Sequence, residues 1–161
     1  MTTPLATSNE MSNIDSRAIN DYGIPSDVLM DRAGKVSADE IWKRYGKDDL
    51  SVTIICGKGN NGGDGYVVAK YLFEYGVKVT VLRIVHSKSI SKDSSKFLEI
   101  ISNLDIEIIE VGSESLHLYQ DQILSGDIIV DAILGSGSKK RKGSVEEKII
   151  SLLSDCEKDI V

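Results

Sequence analysis

Hydrophobic positions along the chain change their spacing near residue 50, from a helical repeat to short apolar runs that alternate with helical stretches. Positions 1 to 9 are small and polar, after which Met11, Ile14, Ala18 and Ile19 recur at helical spacing until Gly23 and Pro25 interrupt them. A short amphipathic helix is predicted there. Ser26 offers an N-cap, and Leu29, Met30, Ala33, Val36 and Ile41 supply the apolar side of a second helix running to about Tyr45. From Ser51 the β-rich run SVTIIC ends in GKGNNGGDG, and Val68, Leu72 and Tyr75 then recur at helical spacing before Gly76. That order predicts strand, glycine loop, helix. KVTVLRI as a strand, Lys92 to Leu104 as a helix and IEIIEV as a strand repeat the unit, which implies parallel β-α-β connections. A polar helical stretch from Glu114 to Leu124 leads to DIIVDAIL, then GSGSKKRKG, then a helix around VEEKIISLLSDC, and Asp159-Ile160-Val161 begin a fifth strand. A run as uniformly apolar as DIIVDAIL belongs inside a sheet covered by helices on both faces. The expected architecture is a doubly wound three-layer α/β sandwich with a mainly parallel sheet, two leading helices and a 3-2-1-4 strand order.

The 161 residues are 41% hydrophobic and 27% charged, the balance of one globular domain. With 19 basic against 25 acidic residues the net charge is -6, so there is no general polycation for nucleic acid or an anionic membrane. Neither is expected as a partner. The cysteines, Cys56 and Cys156, have no metal-spaced ligand beside them, which argues against a disulfide framework or a zinc site. The opening MTTPLATSNE has no basic start and no apolar stretch of signal-peptide length, and a cytoplasmic location is the expectation.

Gly57-Lys58-Gly59-Asn60-Asn61-Gly62 satisfies G-x-G-x-x-G between a predicted strand and a predicted helix, where such a loop turns its N–H groups and a helix N-terminus toward a phosphate. Gly62 is followed by Gly63 and Asp64 rather than by Lys and Ser or Thr, which excludes a Walker A loop. The second strand ends in Arg83 and His86 rather than the acidic residue of an ordinary NAD site, which disfavours a standard dehydrogenase. Asn60, Asn61 and Asp64 add oxygen ligands to the donor loop, a set suited to a hard cation beside an anion. The competing structural role is that the two asparagines tolerate left-handed backbone and that Asp64 serves as an N-cap.

Asp131 interrupts the apolar run at the carboxyl end of the fourth strand. In a 3-2-1-4 order that end adjoins the glycine loop, at the point where the strand order reverses and ligands bind. Asp131 is therefore the first catalytic candidate, against the alternative that it caps the turn after it. Gly135-Ser136-Gly137 forms a second small-residue loop, and Lys139, Lys140, Arg141 and Lys142 behind it could meet a diphosphate or a 2'-phosphate. His86 and His117 stand alone and are expected at the surface. Trp42 and Tyr45 are expected to pack or to join a subunit contact.

Three segments together, Leu29-Met30-Asp31-Arg32-Ala33-Gly34, Gly57 to Gly65 and Val130-Asp131-Ala132-Ile133-Leu134-Gly135-Ser136-Gly137, resemble the YjeF N-terminal domain family, the NAD(P)H-hydrate epimerases. The resemblance runs from about Met11 to the C-terminus. It implies a Rossmann-like fold and an isomerase of cofactor repair that interconverts the R and S epimers of hydrated NADH or NADPH, so that a separate or fused dehydratase can restore the cofactor. It further implies a substrate site at Asn60, Asn61, Gly62, Gly63 and Asp64 and at a second loop of Gly135, Ser136, Gly137, Ser138, Lys139, Lys140 and Arg141. Asn61 and Asp131 are implied as potassium ligands, and a homodimer is implied, for which the leading helices with Met11, Ile14, Leu29, Trp42 and Tyr45 are plausible contacts.

The hydrate carries a hydroxyl on the ring carbon bonded to nitrogen, so its acid-assisted loss leaves a planar iminium open to water from either face, chemistry within reach of one acid/base group such as Asp131. A bound cation would instead favour electrostatic positioning by that carboxylate. The family continues into a further strand and an Ile-Asp-Ile-Pro-Ser-Gly-like segment where this chain ends at Val161, so a domain truncated at its C-terminus is expected. A nucleotide-binding or scaffold module of the same family, without turnover, is the alternative to the enzyme. An unrelated doubly wound domain for a phosphorylated metabolite is the third.

Overall fold

The computed structural model describes residues 6–85, 90–135 and 142–161. Its elements, in chain order, are α1 (Ser8–Asn20), α2 (Ser26–Tyr45), β1 (Ser51–Cys56), α3 (Asn60–Glu74), β2 (Lys78–Ile84), α4 (Lys92–Ser102), β3 (Glu107–Val111), a 3-10 turn at Leu116–Leu118, a short α5 (Gln120–Ile123), β4 (Ile128–Ala132), α6 (Val145–Ser154) and β5 (Asp159–Ile160). The five strands form one sheet in the order β3-β2-β1-β4-β5, with each neighbouring pair parallel. This is the doubly wound α/β sandwich expected from the alternation of elements. The strand order reverses between β1 and β4, which pair from Val52 with Ile128 to Cys56 with Ala132.

Alternation along the strands divides the core in two. Ile54 and Cys56 of β1, with Val79 and Val81 of β2, meet Met30 of α2, Val67 and Leu72 of α3 and Phe97 of α4. On the opposite face Ile55, Leu82 and Ile129 meet Ile123 and the α6 residues Ile149 and Leu153. Gly126 donates its amide to the Thr53 hydroxyl at 3.1 Å, so the buried polar side chain of β1 is paired.

Two leading helices are present as expected; of the apolar face expected for α2, Met30 and Ile41 are buried, Leu29 is half-buried, and Ala33 and Val36 are not on the buried face. Helix α2 buries Met30, Gly34, Ala38 and Ile41, whereas Ala33 is exposed and Val36 is 62% exposed. Close approach selects the face: a Cβ on Gly34 would overlap the Val67 side chain and stand 3.0 Å from the Asp64 carbonyl oxygen of α3. Ser26 is the first helical residue rather than the N-cap, which is Pro25, and its hydroxyl donates to Asp93 at 2.6 Å. In α1, capped by Thr7 and Glu10 in a reciprocal capping box, no residue is buried, and Met11 and Ile14 are 46% and 54% exposed. Its apolar stripe is not spent on the core. The stretch from Glu114 to Leu124, expected as one helix, breaks into the 3-10 turn and α5. No described helix is long and apolar enough to cross a membrane.

Candidate functional site

The glycine segment differs from a loop preceding a helix. Gly59 is the N-cap and α3 starts at Asn60, so Asn60 to Gly65 form its first turns and Asp64 lies inside the helix rather than at its cap. Positive φ occurs, among the described residues, only at Gly23, Asp49, Gly76 and Gly143, so neither asparagine uses a left-handed backbone. The glycines instead provide room. A Cβ on Gly62 would run into the Gly57 carbonyl, with its carbon at 2.8 Å, and one on Gly65 would stand 2.7 Å from the Ala132 Cβ and 2.8 Å from the Cys56 Sγ. On the other side of the turn, a Cβ on Gly63 would meet the Ser94 Oγ at 2.5 Å and the Met30 Sδ at 2.6 Å. The start of α3 is thus wedged between the sheet and α2 and α4, so the LMDRAG segment supplies part of its seat.

This wedge joins α3 to the exit of β4. The Gly57 amide donates to the Ala132 carbonyl at 3.0 Å, the Asn61 Nδ2 donates to the Leu134 carbonyl at 3.3 Å, and Gly135 lies against the Asn61 Cβ. Two segments 73 residues apart in sequence meet at the carboxyl edge of the sheet, as the strand order predicts. Asp131 stands at that edge, opposite Ile55 in register; its carboxylate is exposed and accepts the Ile133 amide at 3.0 Å. Asp131 therefore does cap the turn after it, and exposure keeps its carboxylate in water. Ser136, Gly137, Ser138, Lys139, Lys140 and Arg141 lie outside the described residues, as does His86, while Lys142 and His117 are exposed.

Helix α3 has no side-chain cap on its first turn, which leaves the helix N-terminus and its dipole directed to the sheet edge, an arrangement suited to anions. Asp64 sits half-buried one turn further on, and burial, with some repulsion from Asp15 of α1, pushes its carboxyl up to about 6. Burial likewise pushes the Cys56 thiol well above its ordinary range, so this free cysteine is an inert core residue. Arg83 at the end of β2 is ion-paired with Glu110 of β3, and its Nε, like the Tyr66 hydroxyl of α3, is buried without a hydrogen-bond partner.

Among the described residues no three His, Cys, Asp or Glu side chains gather as a metal cluster. The donors near the β4 exit are instead an amide oxygen of Asn61, a carboxylate of Asp131 and backbone carbonyls, a set that fits a hard, weakly held cation and not a soft one. Sequence reasoning missed Ser94, whose Oγ donates to the Gly59 carbonyl at 3.3 Å. The only local sign is Ser91 three residues earlier, which caps α4 and whose hydroxyl lies 2.8 Å from that of Ser94.

Residues 26–161 match the family model described as YjeF-related protein N-terminus. The chain is 34% identical over 161 residues to the bifunctional NAD(P)H-hydrate repair enzyme Nnr of Moorella thermoacetica, a match that covers 98% of this chain and 30% of that protein. It is 33% identical over 156 residues to the NAD(P)H-hydrate epimerase of Limosilactobacillus reuteri, covering 92% of this chain and 67% of that one. The crystal structure of yeast YNL200c superposes with a TM-score of 0.80 at 22% identity, covering 94% of this chain and 65% of that one, which shows a shared fold. The chain thus spans about a third of the bifunctional relative and about two thirds of the epimerase. With the fold, the wedged glycine segment and a family match running to Val161 all in agreement, the chain belongs to the YjeF-related N-terminus family.

Proposed function

We propose that this domain epimerises hydrated NADH and NADPH in nicotinamide cofactor repair. The observation that carries the proposal is the joining of the α3 start to the β4 exit through Asn61 and Leu134, which holds an anion-receiving helix terminus and Asp131 at one sheet edge. Relatives that are named epimerase or bifunctional repair enzyme support the same reaction. The substrate's phosphates lie against Asn60 to Asp64, and the family resemblance supports further substrate contacts from the second loop, Gly135 through Arg141. A solvent proton goes to the departing ring hydroxyl, which leaves as water while the ring-nitrogen lone pair forms the C=N bond of the iminium, a cation that the Asp131 carboxylate stabilises. Water then adds to the other face and gives a proton to the Asp131 carboxylate, which passes it to solvent, so atoms and charge balance over the cycle.

A potassium ion, for which Asn61 and Asp131 are the proposed ligands, would when bound neutralise diphosphate charge beside the α3 terminus. A dehydratase, fused as the name of the bifunctional relative suggests or separate, takes up the product. The exposed Met11 and Ile14 of α1 support a homodimer built through the leading helices, and the free thiols Cys56 and Cys156 suit a cytoplasmic setting.

Epimer exchange of hydrated NADPH, followed by NMR with the intact protein in potassium buffer, tests the reaction. Wild type is expected to exchange the epimers and Asp131→Asn to lose about a hundredfold or more in rate, the scale of general acid-base catalysis, with the fold retained. A folded Asp131→Asn protein at near wild-type rate would remove Asp131 from the chemistry. An inactive wild type would overturn the reaction itself, leaving the module without turnover.

A further inference from the structure

We infer that Ser94 is a positioning residue for the substrate turn, fixing the Gly59–Asn61 backbone from α4 through its hydroxyl; this rests on the function proposed above. Ser94 is 1% exposed and, with Thr53, is one of two buried polar or charged residues among those described. Its hydroxyl lies at the glycine face of α3, where a Cβ on Gly63 would meet both the Ser94 Oγ and the Met30 Sδ. A buried hydroxyl in such surroundings costs stability unless it is bonded, and this one is bonded twice. Its Oγ donates to the Gly59 carbonyl at 3.3 Å and lies 2.8 Å from the Ser91 hydroxyl, so Ser91 acts as donor to Ser94 and Ser94 to Gly59.

The bond falls at a sensitive place. The Gly59 carbonyl is the N-cap acceptor of α3 and already receives the Gly63 amide at 3.2 Å, so it sets where the helix starts and which way its first free amides face. Asn61 on the same turn is held from the other side by the Leu134 carbonyl. The turn is thereby pinned from β4 at Asn61 and from α4 at Gly59. Loss of the α4 pin frees the end whose N–H groups meet the phosphates, while Asp131 on β4 is untouched. Binding should weaken and the chemical step should not.

The test compares Ser94→Ala with Ser91→Ala in the intact protein by amide hydrogen exchange and by epimer-exchange kinetics on hydrated NADPH. Ser94→Ala is expected to speed exchange of the Gly63 amide, which is bonded to the Gly59 carbonyl, and to raise KM, each by about three- to tenfold, the worth of one buried hydrogen bond, with kcat within twofold. Ser91→Ala removes the α4 cap and lowers Tm, yet is expected to leave the Gly63 amide and KM within twofold. Wild-type exchange of the Gly63 amide in Ser94→Ala would overturn the inference. So would equal effects from both variants, which would mean that α4 stability alone is at stake. If wild type shows no epimerisation, the proposed reaction falls, and the exchange comparison still decides whether Ser94 holds the turn.

Discussion

Replacing Gly62 by alanine separates packing from flexibility as the reason for the glycines. At Gly62 the new methyl would overlap the Gly57 carbonyl oxygen and stand 2.8 Å from its carbon and 3.1 Å from the Gly57 nitrogen. Those atoms are backbone, held by the Gly57–Ala132 bond at 3.0 Å, and cannot rotate away. Overpacking costs up to about 3 kcal/mol where the surroundings yield, and this site lies at or beyond that end. The helix interior returns about 1 kcal/mol, because alanine is a better helix former than glycine. A net loss of about 2 kcal/mol or more follows, which in a domain of this size lowers Tm by roughly 4 to 8 °C. Gly59, three residues earlier, is the control: a Cβ there meets nothing within 4 Å and its φ of -85° suits any residue. Gly59→Ala forfeits only part of an N-cap preference, about 0.5 kcal/mol, or 1 to 2 °C. Both variants are read by thermal unfolding followed by circular dichroism at one pH and salt. Gly62→Ala within 1 °C of wild type, or a Gly59→Ala loss as large as that of Gly62→Ala, would refute the wedge.

Asp64 predicts a pH effect, since burial raises its carboxyl from 3.8 to about 6 in the folded chain. The folded state then binds more protons than the unfolded one between those values, so the contribution to stability is full below about pH 4 and is lost as pH rises through 6. The shift is worth at most about 3 kcal/mol, and partial solvation brings it to about 1 to 2; Asp64→Asn should therefore gain Tm over wild type from pH 4 to pH 7.5, and a pH-independent difference would contradict this. The exposed Met11 and Ile14 of α1 predict self-association of the intact protein, which sedimentation velocity over a range of concentrations checks. A concentration-independent monomer mass would show that α1 does not join two copies.

Much of the fold was legible because buried parallel strands are short apolar runs with little else to be. SVTIIC and KVTVLRI coincide with β1 and β2 to the residue, and the order that brings β4 beside β1 follows from handed β-α-β connections. The start of α3 was not legible, because five glycines in nine residues carry a poor helix propensity and look like a loop. Tertiary packing overrides that propensity: Gly65 lies on the sheet and Gly62 on the backbone of the Gly57 turn, where a side chain of any size would force the helix away. The same physics hid the buried face of α2, whose large residue Val36 is exposed while Gly34 and Ala38 make the contact. A search for apolar periodicity weights bulk, and a close helix crossing requires its absence.

The candidate site divides along the same line. Asp131 and the asparagines were visible because a carboxylate in an apolar run and two amides among glycines are chemically out of place. Whether they act was not visible, since Asp131 also caps its own turn through the Ile133 amide and Asn61 also ties α3 to Leu134. Those two bonds restrict where the side chains can go, and restriction is what a site needs if binding is not to spend its free energy on ordering the protein. Ser94 is the counterpart that no local pattern reveals, a common residue in an ordinary helix start, made consequential by the carbonyl 35 positions away that its hydroxyl reaches. Function in such a domain therefore depends as much on the small residues that let α3 settle against β4 as on the polar groups it carries there. A substitution that moves the helix by an ångström would displace its N-terminal amides, and Asn60, Asn61 and Asp64 with them, while leaving Asp131 of β4 in place.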